Sequence, residues 1–218
     1  MIAQHIGFIR KSLPRHVQLM AVTKQRHLSE IGEAVSAGVS IIGENYVQEA
    51  EVAYSKLPAH ARELAKWHFI GHLQRNKVKR ALKIFSCIQS VDSFALAGEI
   101  DKQAMAVGKA IPVLIEVNIG GEKSKFGVPP ENVKELIAQI SPLENVKVIG
   151  LMAMEPPSEN PEDARPYFKR MKKLFEEISG AGIPNAEMRF LSMGMSSSYK
   201  VAIEEGSNMV RLGRAIFE

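Results

Sequence analysis

Three stretches of this chain hold residues whose types and spacing could do chemistry. Lys24 closes the apolar run "QLMAVT" (18–23), "SMGMSSSYK" (192–200) is rich in hydroxyls, and "RLGR" occupies 211–214. A lysine desolvated at the end of a buried strand sheds its proton more readily and can form an imine with a carbonyl. Hydroxyls and free backbone N–H groups where a turn enters a helix, joined by Gly213, can cradle a phosphate without a P-loop. Each feature also has a plainer reading. A strand-end lysine can be a surface charge or an ion-pair partner, and a Ser/Gly turn can simply cap a helix.

Positioning such groups requires a scaffold, and the sequence alternates two kinds of segment. Short apolar runs lie at 18–23, 40–44, 67–71, 87–91, 112–118, 147–153, 189–193 and 209–213. Amphipathic helical patterns lie between them at 28–38, 45–57, 76–84, 93–108, 130–140, 161–182 and 196–206, and an additional one precedes the first run at about 2–12. Ser29, Asp92 and Pro130 punctuate helix starts, and Gly38, Gly108, Gly180 and Gly206 punctuate stops. The strand runs do not alternate polar with apolar residues, so they belong in a sheet covered on both faces, and helical crossovers imply parallel pairing. Eight such units predict a single α/β domain over 1–218, a (β/α)8 TIM-type barrel with an extra N-terminal helix. No glycine-rich dinucleotide fingerprint follows the first run.

In such barrels the working groups sit at the C-terminal ends of the strands. Lys24 then follows the first strand, Asn45 the second, His68 and His72 lie in and beyond the third, and Asp92 follows the fourth. Asn118 ends the fifth, Ser192 the seventh, and Arg211, Gly213 and Arg214 the eighth. An imine-forming lysine after strand one, with a phosphate cradle after strands seven and eight, points to pyridoxal 5′-phosphate (PLP).

Composition and charge narrow the alternatives. Hydrophobic residues make up 45% and charged residues 24%, ordinary values for a folded soluble domain, and no apolar stretch reaches the roughly 20 residues of a membrane helix. The N-terminus has no secretory pattern, so a cytoplasmic protein without a membrane partner is expected. The net charge of +4 is dispersed among acids along helices, and "HLQRNKVKR" (72–80) lacks interleaved aromatics, which argues against nucleic acid. Paired carboxylates suited to glycoside hydrolysis are missing from the strand ends. The single cysteine, Cys87, sits in "FSCIQSV" and reads as inert core. His68 and His72 are not spaced for a shared metal on a strand, so no metal is expected.

At these residues the chain resembles the pyridoxal phosphate homeostasis protein family, relatives of the alanine racemase barrel. The motifs span nearly the whole sequence: "AVTK" (21–24), "GENYVQE" (43–49), "WHFIGHLQRNK" (67–77), "SVDS" (90–93), "VNIGGEKSKFG" (117–127), "GLMAM" (150–154), "LSMGMS" (191–196) and "MVRLGRAIF" (209–217). The resemblance implies that Lys24 holds PLP as an internal aldimine and that Arg211 faces the pyridine nitrogen. It further implies that Ser196, Gly213 and the backbone of Arg214 hold the phosphate, with Asn45 and His68 close to the cofactor. Ser192 either lies near the phosphate or satisfies backbone groups. Three positions depart from the family pattern: Ser198 replaces a frequent Asp, Asn208 a frequent Thr, and Arg214 a small hydroxyl residue.

An arginine beside the pyridine nitrogen keeps it unprotonated and weakens the ring as an electron sink. The role this implies is a non-catalytic, monomeric carrier in vitamin B6 and amino-acid homeostasis, with apo-forms of PLP-dependent enzymes as partners. The rival is an amino-acid racemase with weak activity, although two-base racemization requires an acid/base on each face of the substrate, and in alanine racemase the second comes from a domain this chain lacks. A third reading is a phosphate-recognising barrel in which Lys24 is only a charge partner.

Overall fold

A computed structural model describes residues 1–122 and 124–218. Eight parallel strands close into a barrel in sequence order: β1 (Gln18–Val22), β2 (Ile41–Glu44), β3 (Lys66–Phe69), β4 (Cys87–Val91), β5 (Ile111–Val117), β6 (Val146–Ala153), β7 (Ala186–Ser192) and β8 (Met209–Leu212). β1 pairs with both β2 and β8, which completes the circle. The helices are α1 (Ile2–Ser12), α2 (Leu28–Ser36), α3 (Val47–Lys56), α4 (Ala59–Leu64), α5 (Val78–Ala81), α6 (Phe94–Met105), α7 (Val133–Ile140), α8 (Arg165–Gly180), α9 (Tyr199–Glu204) and α10 (Arg214–Phe217).

Side-chain alternation sorts each strand into an inner and an outer face. On β1, Met20 packs inside the barrel with Ile41, Ile70 and Met209, and Val22 joins them. Leu19 and Ala21 face outward onto Ile6, Ile9 and Ile216 of the flanking helices. A second interior cluster joins Cys87, Leu114, Ile149 and Met152. Outside, helices such as α7 bury one stripe, Val133, Leu136, Ile137 and Ile140, at the spacing of successive turns. Each large apolar side chain buried this way stabilises the fold by roughly 1.5–3 kcal/mol.

The register shifts where β6 meets β7, between Val148 and Gly150. Gly150 has φ +151°, and a Cβ there would lie 1.9 Å from the Phe190 carbonyl oxygen, so this irregularity accepts only glycine. It sits two strands from the β8 arginine.

Several boundaries differ from the sequence expectations. The 45–57 pattern forms α3, and α4 follows it as a separate helix of six residues outside any expected pattern, too short for its periodicity to show. The 196–206 pattern contracts to Tyr199–Glu204, leaving Ser196, Ser197 and Ser198 in the turn. α10 was absent from the expectations because its four residues are continuous with the last strand's motif. At α2 the entry is organised by the Glu30 carboxylate accepting from the His27 N–H at 2.8 Å, rather than by Ser29. Among the described residues no helix is long and apolar enough to cross a membrane.

Candidate functional site

Inside the barrel, just below its C-terminal mouth, a chain of polar side chains spans four strands. Arg211, 4% exposed, lies on the inner face of β8. Its Nη1 donates to the Ser192 carbonyl at 2.7 Å and to Ser192 Oγ at 2.9 Å, and its Nη2 donates to the Ala153 carbonyl at 2.8 Å. Ser192 Oγ passes its own proton to Gln89 Oε1 at 2.8 Å. That fixes the amide, so Gln89 Nε2 donates to His68 Nδ1 at 2.9 Å, and the His68 proton resides on Nε2. Burial, with Lys66 adding a smaller push, lowers His68 to about 4. It is neutral at physiological pH. Burial likewise lowers Arg211, opposed by the carboxylates of Glu155 and Glu116.

Above this layer stand the strand ends. Lys24 is exposed and follows Thr23, two residues beyond inward-facing Val22. Thr23 Oγ1 donates to Glu44 Oε1, tying the end of β1 to the end of β2 next to Asn45. Burial pushes Glu44 up to about 7, partly offset by that bond. Among the described residues Asn45 Oδ1 is buried without a hydrogen-bond partner. Glu116, 4% exposed, occupies the inner face of β5. Burial first, then the nearby Asp92, pushes it up to about 7, while Arg211 pulls the other way. Over the mouth the His72 ring stacks on Phe126, centroids 3.7 Å apart, joining the loops after β3 and β5.

The turn after β7 meets the start of α10. Ser196 Oγ accepts from the Ala215 N–H at 3.1 Å, leaving its own proton free to donate elsewhere. Ser198 Oγ accepts from Met195 N at 3.0 Å and donates to Glu155. Gly213 has φ −109°, which any residue adopts, and a Cβ there would meet Val22 only at ordinary contact distances of 3.6 and 3.7 Å. Its own backbone therefore does not demand glycine. Arg214 is exposed and engages no carboxylate among the described residues.

Comparison with known proteins then separates kinship from shared architecture. The family described as alanine racemase, N-terminal domain, matches residues 1–218. The pyridoxal phosphate homeostasis protein of Aquifex aeolicus is 44% identical over 200 residues, 92% of this chain and 86% of the relative. The chain belongs to the pyridoxal phosphate homeostasis protein family.

Another structure like that of this homeostasis-family member is PipY of Synechococcus elongatus PCC7942, 32% identical and covering 100% of both chains. Its TM-score is 0.93 without PLP and 0.90 with PLP bound. Alanine racemase of Clostridium difficile shares the fold alone, at 15% identity and a TM-score of 0.78, over 99% of this chain and 56% of that one.

The homeostasis-family chain thus brings Arg211, Ser192 and His68 into one hydrogen-bonded layer, with Lys24 and Asn45 at the strand ends above and Ser196 and Gly213 at the meeting of two helix starts. Ser192 sits with Arg211 in that layer. Three polar residues escaped the sequence reading: Gln89, Glu116 and Glu155. For the first two the signal was present, since "CIQSV" and "LIEVN" each place one polar side chain inside a run otherwise fit for burial.

Proposed function

We propose that this protein holds PLP at the barrel mouth as a non-catalytic carrier serving vitamin B6 and amino-acid homeostasis. Residues 1–218 act as one domain, as a monomer in the cytoplasm. The observation that carries the reading is Lys24, an exposed amine at the end of β1 directly following the inward-facing run, above the Arg211 layer. Likeness over the full chain to a relative solved with PLP bound supports it.

The residues present fit such a ligand. Among the described residues Asn45 Oδ1 is a buried acceptor without a donor and Ser196 keeps a free hydroxyl proton, and Gly213 leaves its backbone open to close approach by an anion. When bound, the cofactor supplies an aldehyde that condenses reversibly with a primary amine. Lys24 Nζ provides that amine. Ser196 Oγ and the backbone N–H groups of Gly213 and Arg214 take the phosphate end. Arg211 spends three N–H bonds on Ser192 and Ala153, so two of its five N–H groups remain to face the ring nitrogen. A permanent cation there keeps a proton off that nitrogen, which disfavours carbanion chemistry. His68, held neutral and hydrogen-bonded through Nδ1, orients the layer rather than exchanging protons near neutrality.

Titrating the full-length protein with PLP, reading the absorbance band of an imine, and mapping the borohydride-reduced label by mass spectrometry tests this reading. A label on Lys24 is the expected result. A label on Lys77 or Lys125, or no reducible band, defeats it. One feature favours amino-acid chemistry as a second reading, the Glu116 carboxyl raised to about 7 near the mouth. Deuterium exchange at the α-carbon of an amino acid by the loaded wild-type protein would promote that reading over the carrier.

A further inference from the structure

A cavity lies at the end of the barrel opposite the mouth, where β1, β2 and β3 begin at Gln18, Ile41 and Lys66. Its volume is about 610 Å3, within the roughly 300–1,000 Å3 typical of small-molecule sites. Three cations line it, Arg10 of α1, Arg15 of the loop that follows and Lys66, against one carboxylate, Glu63 of α4. None of the four forms an ion pair among the described residues. Arg10 is fixed at the wall, where its Nη1 donates to the Gly38 carbonyl at 3.2 Å. Gly38 has φ +93°, and a Cβ there would collide with that guanidinium, so the glycine keeps open the space into which Arg10 reaches. One bond to a neutral carbonyl leaves Arg10 its charge and four of its five N–H groups. Arg15 and Lys66 are exposed, and their side chains donate no hydrogen bond among the described residues. Leu13 and Leu64 add apolar wall, Leu64 at 64% exposure.

We infer that this cavity binds a phosphomonoester with an apolar body, its phosphate on Arg10, Arg15 and Lys66 and its body against Leu13 and Leu64. Charge selects the head. Three cations against one carboxylate leave an excess of two positive charges, which a phosphomonoester, close to doubly ionised at neutral pH, cancels and a monocarboxylate does not. Guanidinium forks also match phosphate oxygens in pairs. Size and lining select the body, because inorganic phosphate alone would leave most of the cavity and both leucines in water. The site goes beyond the carrier reading: it stands at the opposite ends of the strands from the proposed cofactor contacts, and binding here does not require PLP. It is still in electrostatic touch with the inner layer, since Lys66 precedes His68 by two residues on the same face of β3 and its charge acts on that ring.

The test is equilibrium dialysis of phenyl phosphate against the full-length protein at about 0.15 M salt, where long-range attraction between exposed charges is screened. The protein is used cofactor-free and again after loading with PLP and removing the excess. Saturable retention that persists after loading is expected, because PLP fills the other end of the barrel. Arg15→Gln and Lys66→Gln should each weaken that retention about fivefold or more, the effect of removing one charge-assisted bond. Both side chains are exposed and distant from the mouth, so both variants should fold and take up PLP, read by absorbance, as the wild type does. Benzoate, a similar body with one charge, should be held about fivefold more weakly than phenyl phosphate, as should inorganic phosphate, which has no body. No saturable retention by the wild type, retention unchanged in both variants, loss of all retention on loading with PLP, or benzoate held as well as phenyl phosphate overturns the inference. Failure of the wild type to take up PLP would instead defeat the carrier reading, and the two variants would still decide the cavity on cofactor-free protein.

Discussion

Two polar regions lie towards the same C-terminal end of the barrel, one on β3, β4, β7 and β8 and the other on β5 and after β2, and are built on opposite terms. The inner layer is closed: Arg211, Ser192, Gln89 and His68 give and accept hydrogen bonds in an unbroken series ending on the Ala153 carbonyl. The rim is open. Among the described residues Glu116 accepts no side-chain hydrogen bond and Asn45 Oδ1 is buried without a partner. Glu116 and Arg211 are each 4% exposed, so burial alone does not distinguish the two regions. Satisfaction does: a paired buried group stabilises or holds geometry, whereas an unpaired one destabilises the free protein and gains most from a ligand.

The contrast should appear first in stability. Arg211→Met leaves the Ser192 and Ala153 carbonyls and Ser192 Oγ without their donor, and at about 1–3 kcal/mol for each of the three deprived buried groups the loss should be roughly 3–9 kcal/mol. Urea denaturation would show it as a lower midpoint with an unchanged slope. A loss below about 1 kcal/mol would mean that the layer is not a closed network.

Glu116→Gln should move the other way, and only at high pH. The folded protein holds Glu116 at about 7 against an ordinary value of 4.5, so it binds more protons there than the unfolded chain does. Stability must then fall as pH rises through that window, by at most about 3 kcal/mol from this residue. The variant should therefore be more stable than wild type at pH 8 and nearly equal at pH 4.5. Glu44, also raised to about 7, remains in both proteins and leaves a residual slope. Equal stability at pH 8 would show that Glu116 already has a partner.

The closed region and the open one were not equally legible in the sequence. The barrel itself could be read because parallel strands covered on both faces leave continuous apolar runs, and all eight runs correspond to strands. Lys24 and Arg211 could be read because each stands at a strand end. Gln89 and Glu116 could not be assigned roles, because what distinguishes them is a partner or its absence across the barrel, on strands up to 120 residues apart. The short α4 and α10 carry too few turns to show a period. Register shifts such as that at Gly150 are likewise set by the neighbouring strand's carbonyl, which no local pattern reveals.

Ser196 tests the open region at its other end. Its hydroxyl accepts from Ala215 N and has a proton to spare, so Ser196→Ala should weaken PLP by about 1.5–3 kcal/mol through one charge-assisted bond. Pyridoxal, which has no phosphate, should weaken far less, and competition between the two for the same protein measures the difference. Equal weakening would place Ser196 outside the phosphate cradle and reduce it to a helix-start contact.

His68 should give the smallest effect at neutral pH and the sharpest check on closure. With Nδ1 accepting from Gln89 and burial lowering the ring to about 4, the imidazole stays neutral with its proton on Nε2. Nitrogen-resolved NMR should show that tautomer unchanged from pH 8 to pH 5, while exposed histidines titrate. His68→Gln preserves an acceptor for Gln89, so stability at pH 7 should change by less than about 1 kcal/mol. The acid side is where the variant separates from wild type. Between the lowered folded value and the ordinary 6.5 the unfolded chain binds the extra proton, so His68 makes stability fall as pH drops through that range. By pH 5 the loss should approach about 2 kcal/mol, and His68→Gln should abolish it. An imidazole that titrates near 6.5 in the folded protein would show that water reaches the layer, and the distinction between a closed interior and an open rim would fail at its deepest member.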